Sequence, residues 1–133
     1  GEESAVERPD VLVVEGLNVL QAARVEADGR QGLTVSDFFD FSVFVEADER
    51  HIKGWFLSRF LELRRTASQD TRSFFRSYAE LSEADAVAIG NNVWDTINGP
   101  NLRENIAPTR DRATAILTKG PDHSIDSIHI RKV

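Results

Sequence analysis

Glu15 follows directly on Val11, Leu12, Val13 and Val14, which sets a single carboxylate at the end of a run of apolar, mostly β-branched residues. Coming after Pro9, such a run has the pattern of a parallel strand buried on both faces rather than a 3.6-residue period. Open α/β sheets put their ligands at the carboxyl ends of strands, and Gly16 lets the backbone turn away at that point. In nucleotide-dependent phosphoryl transfer, a carboxylate so placed holds or orients the magnesium that bridges the phosphates. The alternative is an ordinary strand that ends in a solvated Glu.

A second candidate is cationic. Residues 48–78 carry seven basic and four acidic groups in a chain whose net charge is −6. A basic middle of this kind suits an anion-binding segment, or the solvated face of a charged helix. Asp48 reads as the N-cap of a helix over residues 49–66. At about 100° per residue, Ile52, Trp55, Phe56, Phe60 and Leu63 share one arc, and Arg59 falls inside it. A guanidinium within an apolar stripe must find an anion or reach past the edge of the core. Its partner is either a structural acid such as Asp40 or Glu46, or a ligand phosphate, with Arg64 and Arg65 one turn further on.

The elements that must position these groups are read in order. Residues 22–34 lack periodicity, contain the Asp28-Gly29 turn pair and read as a surface loop. Residues 35–47 resume the strand pattern, with Phe41, Val43 and Val45 on one face and Ser42 and Phe44 on the other, and are expected to be well buried. Asp37 and Asp40 precede that pattern as loop caps or as catalytic acids. Residues 70–81 bring Phe74, Phe75 and Tyr78 close together, as core or as the lining of a pocket for an apolar ligand portion. Ser82 and Asp85 form a capping box for a helix that Asn98, Gly99 and Pro100 are expected to end. Asn98 either caps that end or lends its amide to a substrate. Residues 101–112 read as an extended or turned connector. Residues 113–118 and 125–130 then form a closing strand pair, joined by a loop that carries His123.

Composition narrows the classes of function. No apolar stretch approaches the roughly 20 residues of a membrane span, and no basic-then-apolar leader opens the chain. The acidic balance argues against a general nucleic-acid binder. There is no cysteine among the 133 residues, so disulfides, thiolate metal sites and a Cys nucleophile are excluded, and a cytoplasmic location is the default expectation. The polar opening GEESAVER, with no Met anywhere, leads straight into the apolar run and reads as a cut edge.

Four stretches taken together are similar to the carboxyl-terminal half of bacterial type I pantothenate kinases. They are PDVLVVEGLNVLQ, VSDFFDFSVFVEA with the following WFLSRFLELRRTA, INGPNLRENIAPTRDRA, and LTKGPDHSIDSIHIRK. EGLNVLQ followed by NIAPTR is far more specific than any single motif. The resemblance implies an α/β fold, part of a P-loop kinase, with a mostly parallel sheet flanked by helices. It implies transfer of the ATP γ-phosphoryl group to pantothenate with Mg2+, feedback inhibition by coenzyme A, and a homodimer as the full-length enzyme. By the same resemblance Arg59 meets the phosphates, Asn98 binds pantothenate and His123 lies beside the adenine. Phe60, Phe75 and Tyr78 match aromatic positions around the pantetheine arm.

The sequence departs from the family pattern in places. Phe56 stands where the family has a pantothenate-binding tyrosine, so one substrate hydrogen bond is expected to be missing. Leu63 and Ser68 replace bulkier residues, which weakens the case for strong coenzyme A inhibition. No G-x-x-x-x-G-K-[ST] occurs in the 133 residues, nor the Asp expected to act as base. The chain by itself is therefore expected to be inactive. The alternatives are a uridine-kinase-like or phosphoribulokinase-like enzyme, or a non-catalytic module that binds coenzyme A or a partner.

Overall fold

The computed structural model describes residues 7–23, 25, 27–66 and 80–132. Its centre is a three-stranded sheet in the order β1 (Val43–Ala47), β2 (Ala115–Lys119), β3 (Ile125–Ile130). β1 and β2 are parallel, in the register Val43 to Ala115 and Ala47 to Lys119. β2 and β3 are antiparallel, with an irregularity between Thr118 and Lys119. The class is α/β with a mixed sheet, and the closing strand pair lies where the sequence put it.

A parallel pair needs a crossover, and the described residues of this one are mainly helical. α1 (Glu49–Thr66) begins at Asp48, whose carboxylate accepts the Arg50 backbone N–H at 2.8 Å, as an N-cap does. The Arg50 guanidinium adds further hydrogen bonds to the same carboxylate and holds its pKa far below the usual range. α2 (Glu83–Val93) starts at Ser82, whose hydroxyl accepts the Asp85 N–H at 3.1 Å. α1 and α2 meet at Gly90. A Cβ there would lie 2.8 Å from Leu57 Cδ2 and 3.4 Å from Phe60 Cδ1, so the missing side chain is what lets the helices approach.

The expected stop at Asn98-Gly99-Pro100 does not occur. The helical path continues through a π turn (Trp94–Asn98), α3 (Gly99–Asn101), a second π turn (Leu102–Ile106) and a 3-10 turn (Ala107–Arg112). Proline cannot donate to residue i−4, and its ring crowds that carbonyl. The π turn ahead of it widens the helix, and the Gly99 N–H bonds Trp94 O, five residues back. A side chain on Gly99 would meet Trp94 O at 3.0 Å. Of the two readings of residues 101–112 as an extended or a turned connector, the turned one holds, with the turns continuing the helical path.

Two other expectations are corrected. Residues 11–14 are not in the sheet, and Val11 and Val13 are 77% and 84% exposed. An apolar run becomes a buried strand only when neighbours pair with it and cover both faces, and the described residues supply neither. Residues 35–47 hold a shorter strand than expected. A 3-10 turn (Val35–Phe38) opens them, with the Asp37 carboxylate accepting the Thr34 N–H at 2.7 Å; Asp37 is therefore a cap, with its pKa lowered chiefly by that bond. β1 itself is half covered, leaving Val43 and Val45 exposed. Among the described residues the buried apolar set is small: Leu20, Phe60, Ala86, Trp94, Ala113 and Ala115.

Candidate functional site

α1 carries three of the candidate residues, Phe56, Arg59 and Phe60. Phe60 is buried, and Phe56 packs beside it and against Trp94, with ring centroids at 6.2 and 5.7 Å. Asn98 lies one turn beyond Trp94, half-buried within the π turn. Packing of the crossover helix onto α1 therefore brings Phe56, Phe60 and the Asn98 turn into one neighbourhood. π turns recur at functional positions because the extra residue re-aims the side chains that follow.

Arg59 departs from its expected setting. The arc of α1 that meets α2 is centred on Leu57 and Phe60, not on Ile52 and Trp55, and Arg59 is exposed. Neither proposed acid holds it. Glu46 binds Arg110 at 2.5 Å and Thr118 at 3.0 Å, and Asp40 is exposed with no ion pair among the described residues. Among the described residues Arg59 has no ion-pair partner. Arg65 pairs with Glu62, and Arg64 donates to Leu81 O.

Glu15 sits in an exposed stretch without regular secondary structure, before the turn at residues 17–20. No contact links it to the α1 group among the described residues. Beyond it Leu20 is buried, and Arg112 Nε donates to Leu20 O at 2.8 Å, which anchors the turn to the 3-10 segment. No cluster of three or more His, Asp or Glu forms among the described residues.

His123 lies in the turn between β2 and β3, with φ of 70°, and is exposed. Its imidazole stacks on the Trp55 indole, centroids 4.3 Å apart and planes at 27°. Trp55 Nε1 donates to Pro121 O at 3.1 Å, and Lys119 Nζ lies 4.8 Å from the same indole. The sequence pattern had assigned Trp55 to the core stripe; no local signal ties it to His123. In the same turn Asp122 accepts the Ser124 hydroxyl and N–H, which lowers its pKa. Phe74, Phe75, Tyr78 and Ser68 lie outside the described residues. Two shallow clefts flank Arg112, one with Gln31, Thr34 and Asp37, the other with Ser36, Asp111 and Arg131; neither is lined by Glu15, Arg59, Asn98 or His123.

A three-stranded mixed sheet with helices between its parallel strands is an α/β arrangement, consistent with a fragment of an α/β kinase. Known proteins carry the identification further. No protein-family model matches the chain. A protein named pantothenate kinase from a Nocardioides species is 57% identical over 132 residues, 99% of this chain and 40% of that protein. One of the same name from Cutibacterium acnes is 54% identical over 132 residues, and one from Myxococcus xanthus is 50% identical over all 133, covering 40% and 42% of those proteins. Along essentially its whole length the chain is similar to these pantothenate kinases, of whose length it spans about 40%, which is consistent with a carboxyl-terminal fragment of a bacterial type I enzyme.

Proposed function

We propose that this chain is the carboxyl-terminal portion of a single P-loop kinase domain that phosphorylates pantothenate at the expense of ATP. The product would be 4'-phosphopantothenate, the first step toward coenzyme A. The observation that carries the reading is identity of 50–57% along essentially the whole chain with proteins of that name. The exposed Arg59 supports it: a planar fork of donors that no described acid occupies is free to meet phosphoryl oxygens.

In this reading Arg59 steadies the transferring phosphoryl group and Asn98 hydrogen-bonds pantothenate. Phe56, Phe60, Phe75 and Tyr78 flank the pantetheine arm. Phe56 contributes area without a hydroxyl. His123 lies beside the adenine of ATP. Glu15 is the residue that would hold Mg2+. A lone exposed carboxylate fits, because Mg2+ takes one or two carboxylates and completes its shell with phosphate oxygens and water. The ion supplies positive charge to the bridged phosphates. Coenzyme A would inhibit weakly, since Leu63 and Ser68 offer less surface. The intact enzyme would be a cytoplasmic homodimer that uses neither nucleic acid nor membrane, and the described residues contain no helix long and apolar enough to cross one.

The test is an ATP-dependent pantothenate phosphorylation assay on the 133-residue chain alone and on the natural protein that carries it together with a P-loop. Activity is expected only in the second. Turnover by the chain alone would remove the dependence on a P-loop segment. A longer protein that ignores pantothenate but phosphorylates uridine or ribulose 5-phosphate would overturn the substrate.

A further inference from the structure

We infer that Trp55 is a positioning residue for the nucleobase site: it holds the His123 imidazole in one orientation so that the ring is ready to meet a planar base. The inference rests on the assignment of His123 to the adenine of ATP given above.

His123 is an exposed side chain on a turn, and such a side chain ordinarily samples several rotamers, which a ligand must freeze at a cost in affinity. Here two contacts from α1 remove that freedom. The indole covers one face of the imidazole at 4.3 Å, and its N–H grips Pro121 O, two residues earlier in the same turn. The turn is already narrowly defined. Gly120 N donates to Ser124 O at 2.9 Å, His123 N donates to Gly120 O at 3.1 Å, and Asp122 accepts both the N–H and the hydroxyl of Ser124. His123 takes a left-handed backbone conformation, which a non-glycine residue keeps only when its surroundings over-determine it. Lys119, the last residue of β2, sets its ammonium over the same indole, so Trp55 ties α1, the strand end and the turn together. With one face against Trp55 and the residue still exposed, the imidazole keeps surface on which a base can stack.

The experiment compares Trp55→Phe, Trp55→Ala, His123→Ala and the Trp55→Ala/His123→Ala double variant in the natural protein that carries this chain and a P-loop. It reads KM for ATP, kcat, Tm and the NMR shift of the His123 Cε1 proton. His123→Ala is expected to raise KM for ATP on the order of tenfold, the scale of one lost base stack. Trp55→Ala should raise it comparably with a smaller change in kcat, and the double variant should be no worse than His123→Ala alone. Trp55→Phe should rescue much of the loss, and the His123 proton, shifted upfield by the indole, should move downfield only in Trp55→Ala. If His123→Ala raises KM while Trp55→Ala does not, or if the two effects multiply, the positioning role is overturned and the nucleotide reading stands. An unchanged KM in His123→Ala removes the nucleotide reading and this inference with it. Should Trp55→Ala fail to fold, the native upfield shift and the Trp55→Phe kinetics decide, and absence of that shift overturns the stack.

Discussion

Arg110 and Glu46, 64 positions apart, close a salt bridge at 2.5 Å that fastens the 3-10 end of the crossover to β1. Thr118 of β2 donates to the same carboxylate at 3.0 Å, so one side chain ties two parallel strands to the segment that joins them. The Arg110 hydrogen bond, ahead of the one from Thr118, lowers the Glu46 pKa below its ordinary 4.5. A carboxyl whose folded pKa is depressed stabilises the fold fully above its unfolded pKa and loses that contribution as pH falls through the folded value. Stability is therefore expected to drop below about pH 4.5, and Glu46→Gln should flatten that part of the profile while costing about 1 kcal/mol at neutral pH. Denaturant titrations of both proteins from pH 3 to pH 7 check it, and parallel profiles would show the pair to be idle.

Trp94 is the large side chain on which α1 and the crossover agree. It is 5% exposed and packs against Phe56. Trp94→Ala is expected to cost about 3–5 kcal/mol, with Trp94→Phe far milder. Urea midpoints at constant m-value measure both, and a loss under 1 kcal/mol for the Ala variant would mean that the site collapses around the gap.

Arg59 is exposed and unpaired among the described residues, so its replacement should spare stability. Arg59→Lys in the P-loop-bearing protein is expected to leave Tm within a degree or two and to lower kcat by roughly 10²-fold, as when one preorganised electrostatic contact is lost. A Tm shift with kcat intact would instead assign Arg59 to a structural pair.

Glu15 makes no contact that its amide would disturb among the described residues. Glu15→Gln should therefore keep Tm and lower kcat, with the deficit partly relieved by raising Mg2+ if the carboxylate helps to hold the ion. Equal kcat at every Mg2+ concentration would leave Glu15 a solvated loop acid.

Local chemistry was legible in the sequence because its partners lie within a few residues. The caps at Asp48 and Ser82 each close within three residues, and the hairpin of β2 and β3 follows from two apolar runs around Gly120 and Pro121. The family resemblance was legible for the same reason, being carried by contiguous stretches such as EGLNVLQ and NIAPTR.

What only the tertiary structure decided is non-local. Residues 11–14 have the composition of a buried strand, but burial depends on neighbours that a local pattern does not contain. A helical wheel placed Ile52, Trp55, Phe56, Phe60 and Leu63 on one arc with Arg59 inside it, yet it fixes only angles between residues, not which arc a second helix covers. Gly90 brought α2 onto Leu57 and Phe60, and Arg59 was left in solvent. Pro100 read as a helix stop because one α-helical hydrogen bond must be lost there; a π turn absorbed the loss. The contact of Trp55 with His123 had no sequence signal, because α1 and the turn after β2 meet only once the crossover has folded back onto the sheet.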